Sequence, residues 1–155
     1  TYERRSGYDV AGRNGLMLSE KWADGMRSLH GMHVHGFPNL FILGFSQAAN
    51  QIANVPQNYV ENGLAIADVI RRSEDSGAHL VEPTLEAEEQ WIEFILGSVR
   101  ALRGNPDCTP GYYNNEGKPA ESRLRNSSYG GGSLAFFRLL DEWRNEGSLA
   151  GLEFS

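Results

Sequence analysis

Cysteine is nearly missing from this chain: Cys108 is the single one in 155 residues. A lone thiol excludes an internal disulfide and a cysteine-rich zinc site. No nucleophile pattern flanks it, so it reads as a structural thiol in a reducing, cytoplasmic setting. Basic residues are also scarce, with 14 Lys and Arg against 20 Asp and Glu and a net charge of -6. The densest basic stretches, Arg4-Arg5 and Arg71-Arg72, are two residues long, which excludes the basic stripe that nucleic-acid binding needs. No apolar run approaches the roughly 18 residues that span a membrane. A secretory signal is missing too, and the chain opens on Thr1 rather than Met, so it reads as processed, trimmed or fragmentary. Leu, Ile, Val and Phe supply only 36 residues, just above the roughly 20% level that marks disorder. Glycine supplies 18, where average usage gives about 11. These values predict one domain at most, with a thin core and frequent turns.

Residues 1–36 are rich in glycine and turns. Asn14-Gly15, between short apolar pieces, predicts a hairpin turn. Ser19 to Trp22 can form one helical turn before Gly25. Leu40-Phe41-Ile42-Leu43 is continuous rather than alternating, which predicts a strand covered on both faces and closed by Gly44. A helix is predicted over 57–72, with Val60, Leu64, Ala67 and Val69/Ile70 as its apolar face. A longer one is predicted over 85–103, capped by Thr84, with Leu85, Ile92, Ile95, Leu96, Val99 and Leu102 as its stripe and Trp91 in the core. Residues 104–132 lack periodicity, and a segment of that length needs another surface to lie on. A last helix is predicted over 134–146, with Ser133 as N-cap, the rhythm Leu134, Phe137, Leu140, Trp143/Arg144, and Gly147 as its stop. The class is α/β: short strands and three main helices.

Chemistry-bearing motifs are few. His30, His33 and His35 are close in sequence, but two glycines interrupt them and no fourth ligand accompanies them, so they read as ordinary polar histidines and not as a metal site. The sequence has no G-x-S-x-G, no H-E-x-x-H and no Walker loop. Gly130-Gly131-Gly132 lacks the preceding strand and following Lys of a phosphate cradle and reads as a hinge or chain crossing. Glu88 and Glu89 lie in an acidic first turn and read as solvated. The best local candidate is the junction 43–60, where an apolar run ends at Gly44 and an amide-rich loop (Gln47, Asn50, Gln51, Asn54) leads to a helix start. Ligands of α/β proteins sit beyond strand ends, and amides there suit a flat polar ring edge.

Gly36-Phe37-Pro38-Asn39-Leu40-Phe41 with Ile42-Leu43-Gly44 resembles the last strand of the FAD-binding domain in flavoprotein Baeyer–Villiger monooxygenases. Gly12-Arg13-Asn14-Gly15 through Trp22, the Glu-bearing stretch Glu86 to Trp91, Tyr112-Tyr113-Asn114, Gly130-Gly131-Gly132 and the closing helix resemble further stretches of that family, so the resemblance covers essentially the whole chain. It implies a Rossmann-like fragment, with 1–72 closing the FAD-binding domain and 73–155 forming a C-terminal helical and irregular wrap. The intact enzyme would use FAD and NADPH, with molecular oxygen, to insert oxygen beside a ketone carbonyl, giving an ester or lactone.

Residue by residue, Gly44, Phe45 and Ser46 match the family's turn beside the flavin, and Asn54 and Val55 match the loop lining flavin and substrate. Tyr112 to Asn115 match a peripheral wrap. Phe45 stands where the family has proline after the strand, which removes a φ restriction and adds a ring. The G-x-G-x-x-G motifs, the family fingerprint and the catalytic arginine are not in this sequence, so no catalytic residue is assigned. The missing N-terminal FAD and NADPH domains would be its partners, the isolated chain would be inactive, and its exposed face would favour self-association. The alternative is a non-catalytic small α/β binding or oligomerisation domain that has lost flavin.

Overall fold

The computed structural model describes Glu3 and residues 6–49, 54–101 and 124–155, apart from the side chains of 99–101. The expectations for residues 104–123, including Tyr112 to Asn115 and Cys108, lie outside the described residues. The elements in chain order are a 3-10 turn (Arg13–Gly15), α1 (Leu18–Lys21), α2 (Val55–Ser76), β1 (Val81–Pro83), α3 (Leu85–Ala101), α4 (Ser133–Asn145) and β2 (Leu152–Phe154). The strands form a two-stranded antiparallel sheet pairing Val81 with Phe154 and Pro83 with Leu152. The α/β class holds, with helices dominant among the described residues.

The Asn-Gly turn is present. Asn14 and Gly15 take φ of 56° and 77°, and an antiparallel bridge joins Ala11 to Met17 on either side. The one-turn helix α1 is anchored by Asp9, whose Oδ1 accepts from the backbone of Val10 and Ser19 and whose Oδ2 accepts from the Ser19 hydroxyl. These bonds, led by the Ser19 hydroxyl, hold the Asp9 carboxyl below its ordinary pKa.

The strand predicted at Leu40–Leu43 does not form. Phe41 makes a single bridge to His33, Ile42 donates its N–H to Met32 O at 2.9 Å, and Leu43 is exposed. Asn39 and Gln47, with φ of 60° and 58°, turn the chain at either side of the run. An apolar run becomes a strand only beside a partner of matching length, and here the neighbours are turns.

The helices begin and end near their predicted bounds, but they face differently. In α2, Asn54 caps the first turn by accepting from Gln57 N, and Gly77 ends the helix in the left-handed region. The buried face is Asn58, Asn62, Ala65 and Val69. Val60, Leu64 and Ile70, expected inside, are 51%, 46% and 41% exposed. Periodicity reports that a helix has two faces and not which one the fold covers. Thr84 caps α3 through Oγ1, accepting from Ala87 N at 3.1 Å. Ile92, Ile95 and Trp91 are buried as expected, whereas Leu85 is exposed. For α4 the N-cap is Gly132 at φ 84° rather than Ser133, and Phe136, Leu140 and Trp143 are buried while Leu134 is 74% exposed. Gly130 marks a chain crossing: a Cβ there would stand 2.5 Å from that of Ser98.

The main core gathers Leu29, Met32, Ala65, Val69, Val81, Trp91, Ile95, Phe136, Leu140 and Trp143. A smaller cluster holds Leu18, Val34 and Phe37. Two histidines belong to the main core region. His30 lies edge-on between Trp91 and Trp143, with ring centroids 4.7 and 4.9 Å away, and His33 lies against Phe41. Burial, helped by the proximity of His33, pushes the His30 pKa down to about 3. Burial alone pushes His33 down to about 4.

Both rings are therefore neutral in the folded state and protonate near 6.5 when unfolded. Their contribution is complete above about pH 6.5 and is lost as pH falls toward 4 and then 3, because the unfolded chain binds the extra protons. Thermal unfolding followed from pH 7.5 to 4 is expected to show a midpoint falling below pH 6.5. Replacing both histidines with Phe is expected to flatten that limb, and an undiminished limb in the double variant would refute the assignment.

Candidate functional site

The loop after the Leu40–Leu43 run is built around Gln47. This side chain is fully buried, and its amide is committed to the protein. Nε2 donates to Met26 O at 2.7 Å and Arg125 O at 2.8 Å, while Oε1 accepts from the Ser28 hydroxyl at 2.6 Å. Its own N–H donates to Ser127 O, and its carbonyl accepts from Trp91 Nε1. Five bonds thus join segments 26–28, 91 and 125–127 to one residue. The expectation that Gln47 offers its amide to a ligand is corrected: each amide atom already has a protein partner. Gly31 allows the close approach, since a Cβ there would sit 2.7 Å from Ser46 O, at a φ of 74°.

Of the residues matched to a flavin site, Gly44, Phe45 and Ser46 lie at one end of this loop and Asn54 and Val55 at the other, where α2 starts. Asn62, on the buried face of α2, donates from Nδ2 to Gly44 O at 3.4 Å. The Phe45 ring lies 5.4 Å from that of Tyr59. Both ends of the loop are therefore drawn to the first three turns of α2. Asn54 is spent on the helix cap, and Val55 is exposed beside it. Among the described residues, a Cβ added at Gly44 would meet only Ile42 Cγ2, at 3.8 Å. The Gly44 φ is not positive, so neither crowding nor backbone conformation within the described residues demands glycine there.

A second set of contacts lies on the opposite approach to the Leu40–Leu43 run. Glu88, expected to be solvated, is fully buried. Its Oε1 accepts from the backbone N–H of His35 at 2.9 Å, and its Oε2 pairs with Lys21 Nζ at 2.9 Å and Arg27 Nε at 3.6 Å. The correction has a plain cause: those cations belong to a distant stretch that folds back over the start of α3. Glu82 takes the next peptide, accepting from Gly36 N at 2.8 Å and from Arg13 Nε at 2.6 Å. Burial alone would raise the Glu82 carboxyl, but the Arg13 hydrogen bond, the Gly36 N–H and the nearby positive charge outweigh it and hold the pKa below its ordinary value. The His35 ring meets Pro83 O through Nδ1 at 2.9 Å. His30 and His33 thus lie together against Trp143 while His35 turns to Pro83, and among the described residues no three His, Cys, Asp or Glu side chains converge as a metal site would require. An open cleft of about 380 Å³ lies between Val10–Arg13 and Phe37–Leu40, away from Gly44, Phe45, Ser46, Asn54 and Val55. No helix among the described residues is long and apolar enough to cross a membrane.

No family model matches the chain. It is 47% identical over 153 residues to pentalenolactone D synthase of Streptomyces exfoliatus, across 98% of this chain and 26% of that protein. It is 37% identical to an FAD-binding monooxygenase of Hypomyces subiculosus, across 97% of this chain and 25% of the relative. With a Baeyer–Villiger monooxygenase of Stachybotrys chlorohalonatus the identity is 39%, across 97% and 24%. Among solved structures, a polycyclic ketone monooxygenase from Thermothelomyces thermophila superposes with a TM-score of 0.79 at 36% identity, covering 98% of this chain and 25% of that one. A cyclohexanone monooxygenase from Rhodococcus sp. Phi1, bound to NADP+, gives 0.76 at 26% identity, covering 99% and 28%. The chain is thus homologous, over nearly all its length, to flavin monooxygenases of the Baeyer–Villiger type. It spans about a quarter of the length of the curated relatives it matches.

Glu88 predicts the outcome of a simple comparison. Glu88→Ala leaves the His35 N–H without its acceptor and the Lys21 ammonium without its counter-ion, although Lys21 keeps its bond to the His35 carbonyl; breaking such a buried pair costs about 3–5 kcal/mol. Glu88→Gln keeps an acceptor for His35 and is expected to cost less. Denaturant unfolding of the two variants tests the order, and equal losses would show that the His35 bond contributes nothing.

Proposed function

We propose that this chain is the C-terminal part of an FAD- and NADPH-dependent Baeyer–Villiger-type monooxygenase. In this reading residues 1–72 close the FAD-binding domain and 73–155 wrap over it. The observation that carries the reading is the 47% identity across 98% of the chain to a relative about four times as long. The likeness to a polycyclic ketone monooxygenase and to a lactone-named synthase favours a cyclic ketone as substrate and a lactone as product. The protein works in the cytoplasm, and no nucleic acid or membrane takes part.

When bound, the reduced flavin supplies oxygen activation, with electrons from NADPH; insertion beside the ketone carbonyl is its chemistry. The part played by this chain is positional. Gly44 presents backbone with no side chain over it, which suits the close approach of a flat ring. Nothing within the described fold accounts for glycine there, so its reason lies in what covers it. Phe45 and Tyr59 supply an apolar wall beside that backbone. Ser46 continues the turn, while Asn54 and Val55 form the opposite rim at the positive end of α2. These five residues are our candidate cofactor contacts, and none is assigned a bond-making role. The outward side of the first half of α2 carries Val55, Tyr59, Val60 and Leu64 and is the surface that the N-terminal FAD and NADPH domains cover; when they are removed it promotes self-association.

The test compares two proteins. The polypeptide that carries this sequence, taken at full length, is expected to bind FAD and to oxidise NADPH in the presence of a cyclic ketone and oxygen, giving a lactone. The 155-residue chain alone is expected to give no turnover. Ketone-dependent turnover by the isolated chain, or a full-length protein that takes up no flavin, would overturn the proposal.

A further inference from the structure

The first half of α2 is built inside out. Its buried positions are amides, Asn58 and Asn62, while Val55, Tyr59, Val60 and Leu64 stand exposed. Asn62 is the informative one. Its side chain is fully buried. Nδ2 donates to the Gly44 carbonyl at 3.4 Å, and Oδ1 is buried with no hydrogen-bond partner among the described residues. A buried acceptor left unmatched costs about 1–3 kcal/mol, so an apolar residue of similar size serves folding better at this position. A side chain that costs stability and makes one bond, to the backbone at the candidate site, is the pattern expected of a functional position.

We propose that Asn62 is a positioning residue that sets the Gly44 peptide for the cofactor. The inference deepens the reading of Gly44–Ser46 as flavin contacts and rests on it. The bond ties the Gly44 carbonyl to α2, and the Phe45–Tyr59 ring contact one turn earlier keeps the following residue on the same helix. Gln47 holds the loop from its other side through five bonds to segments remote from α2. Loss of the Asn62 bond therefore releases the Gly44 carbonyl, while the Phe45 carbonyl keeps its bond from Ala48 N and Gln47 keeps its own. Asn62 touches no reacting atom in this scheme; it acts through the Gly44 backbone.

The experiment uses the full-length polypeptide and reads two quantities: the thermal midpoint of the flavin-free protein and its FAD dissociation constant by fluorescence titration. Asn62→Leu is expected to leave the midpoint unchanged or raised while weakening FAD binding tenfold or more. Asn62→Ala, which makes the test independent of whether the larger side chain is accommodated, is expected to weaken FAD binding beyond what its fall in midpoint explains. Val69→Ala, a cavity on the same buried face, supplies the comparison, because a purely structural change moves midpoint and affinity together. FAD affinity within twofold of wild type, or a loss that tracks the midpoint as in Val69→Ala, would overturn the inference alone. A wild-type protein that binds no FAD would overturn the cofactor reading and this inference with it.

Discussion

Two carboxylates take two consecutive peptides, and the N-terminal half of this structure hangs on that arrangement. Glu88 accepts from the N–H of His35, and Glu82 accepts from the N–H of Gly36. Each carboxylate is in turn balanced by a cation from the opening loops, Lys21 for Glu88 and Arg13 for Glu82. With two three-residue strands among the described residues, the loop backbone is not satisfied by sheet ladders, yet buried N–H groups must still find acceptors. Side-chain acceptors do that work here. They bring residues 9–36 onto β1 and the start of α3, and they set the direction in which Phe37 to Leu43 leaves. Asn39 extends the device: its own N–H donates to Val81 O, and its Oδ1 accepts from Val81 N, so one amide stands in for a strand residue.

Gln47 repeats the logic further along. It is held at a φ of 58°, a conformation that costs a non-glycine residue about 1–2 kcal/mol. Its five bonds offset that cost and join three remote segments. The loop between Gly44 and α2 is thus rigidly held on its Gln47 side and lightly held at Gly44. Rigid support beside a lightly held backbone is a common way to place a ligand-contacting turn on a fixed frame.

How much of this was legible in sequence depends on where the partners lie. The helices over 55–76, 85–101 and 133–145, the Asn14-Gly15 turn and the Thr84 cap rest on local pattern, and local pattern located them. The strand at Leu40–Leu43 did not form because strand formation is decided by a partner that the run itself does not encode. The β1–β2 pair went unread because three residues are too few for alternation to show. Glu88 looked solvated beside Glu89, since Lys21 and Arg27 meet it only after the chain has folded. At the candidate site, Gly44, Phe45, Ser46, Asn54 and Val55 were named through family likeness. Gln47 and Asn62 have backbone atoms as their chief partners, and no side-chain motif records such contacts.

The inverted face of α2 also bears on where the fold draws its stability. With amides inside and aliphatics outside, the first half of α2 brings little apolar surface to the core until Ala65 and Val69. Apolar burial is the main force holding a fold together, and here α3, α4 and the second half of α2 supply it. The first turns of α2, and the Gly44 turn tied to them, therefore draw little of their stability from apolar burial, and the candidate site sits at the edge of the core rather than within it.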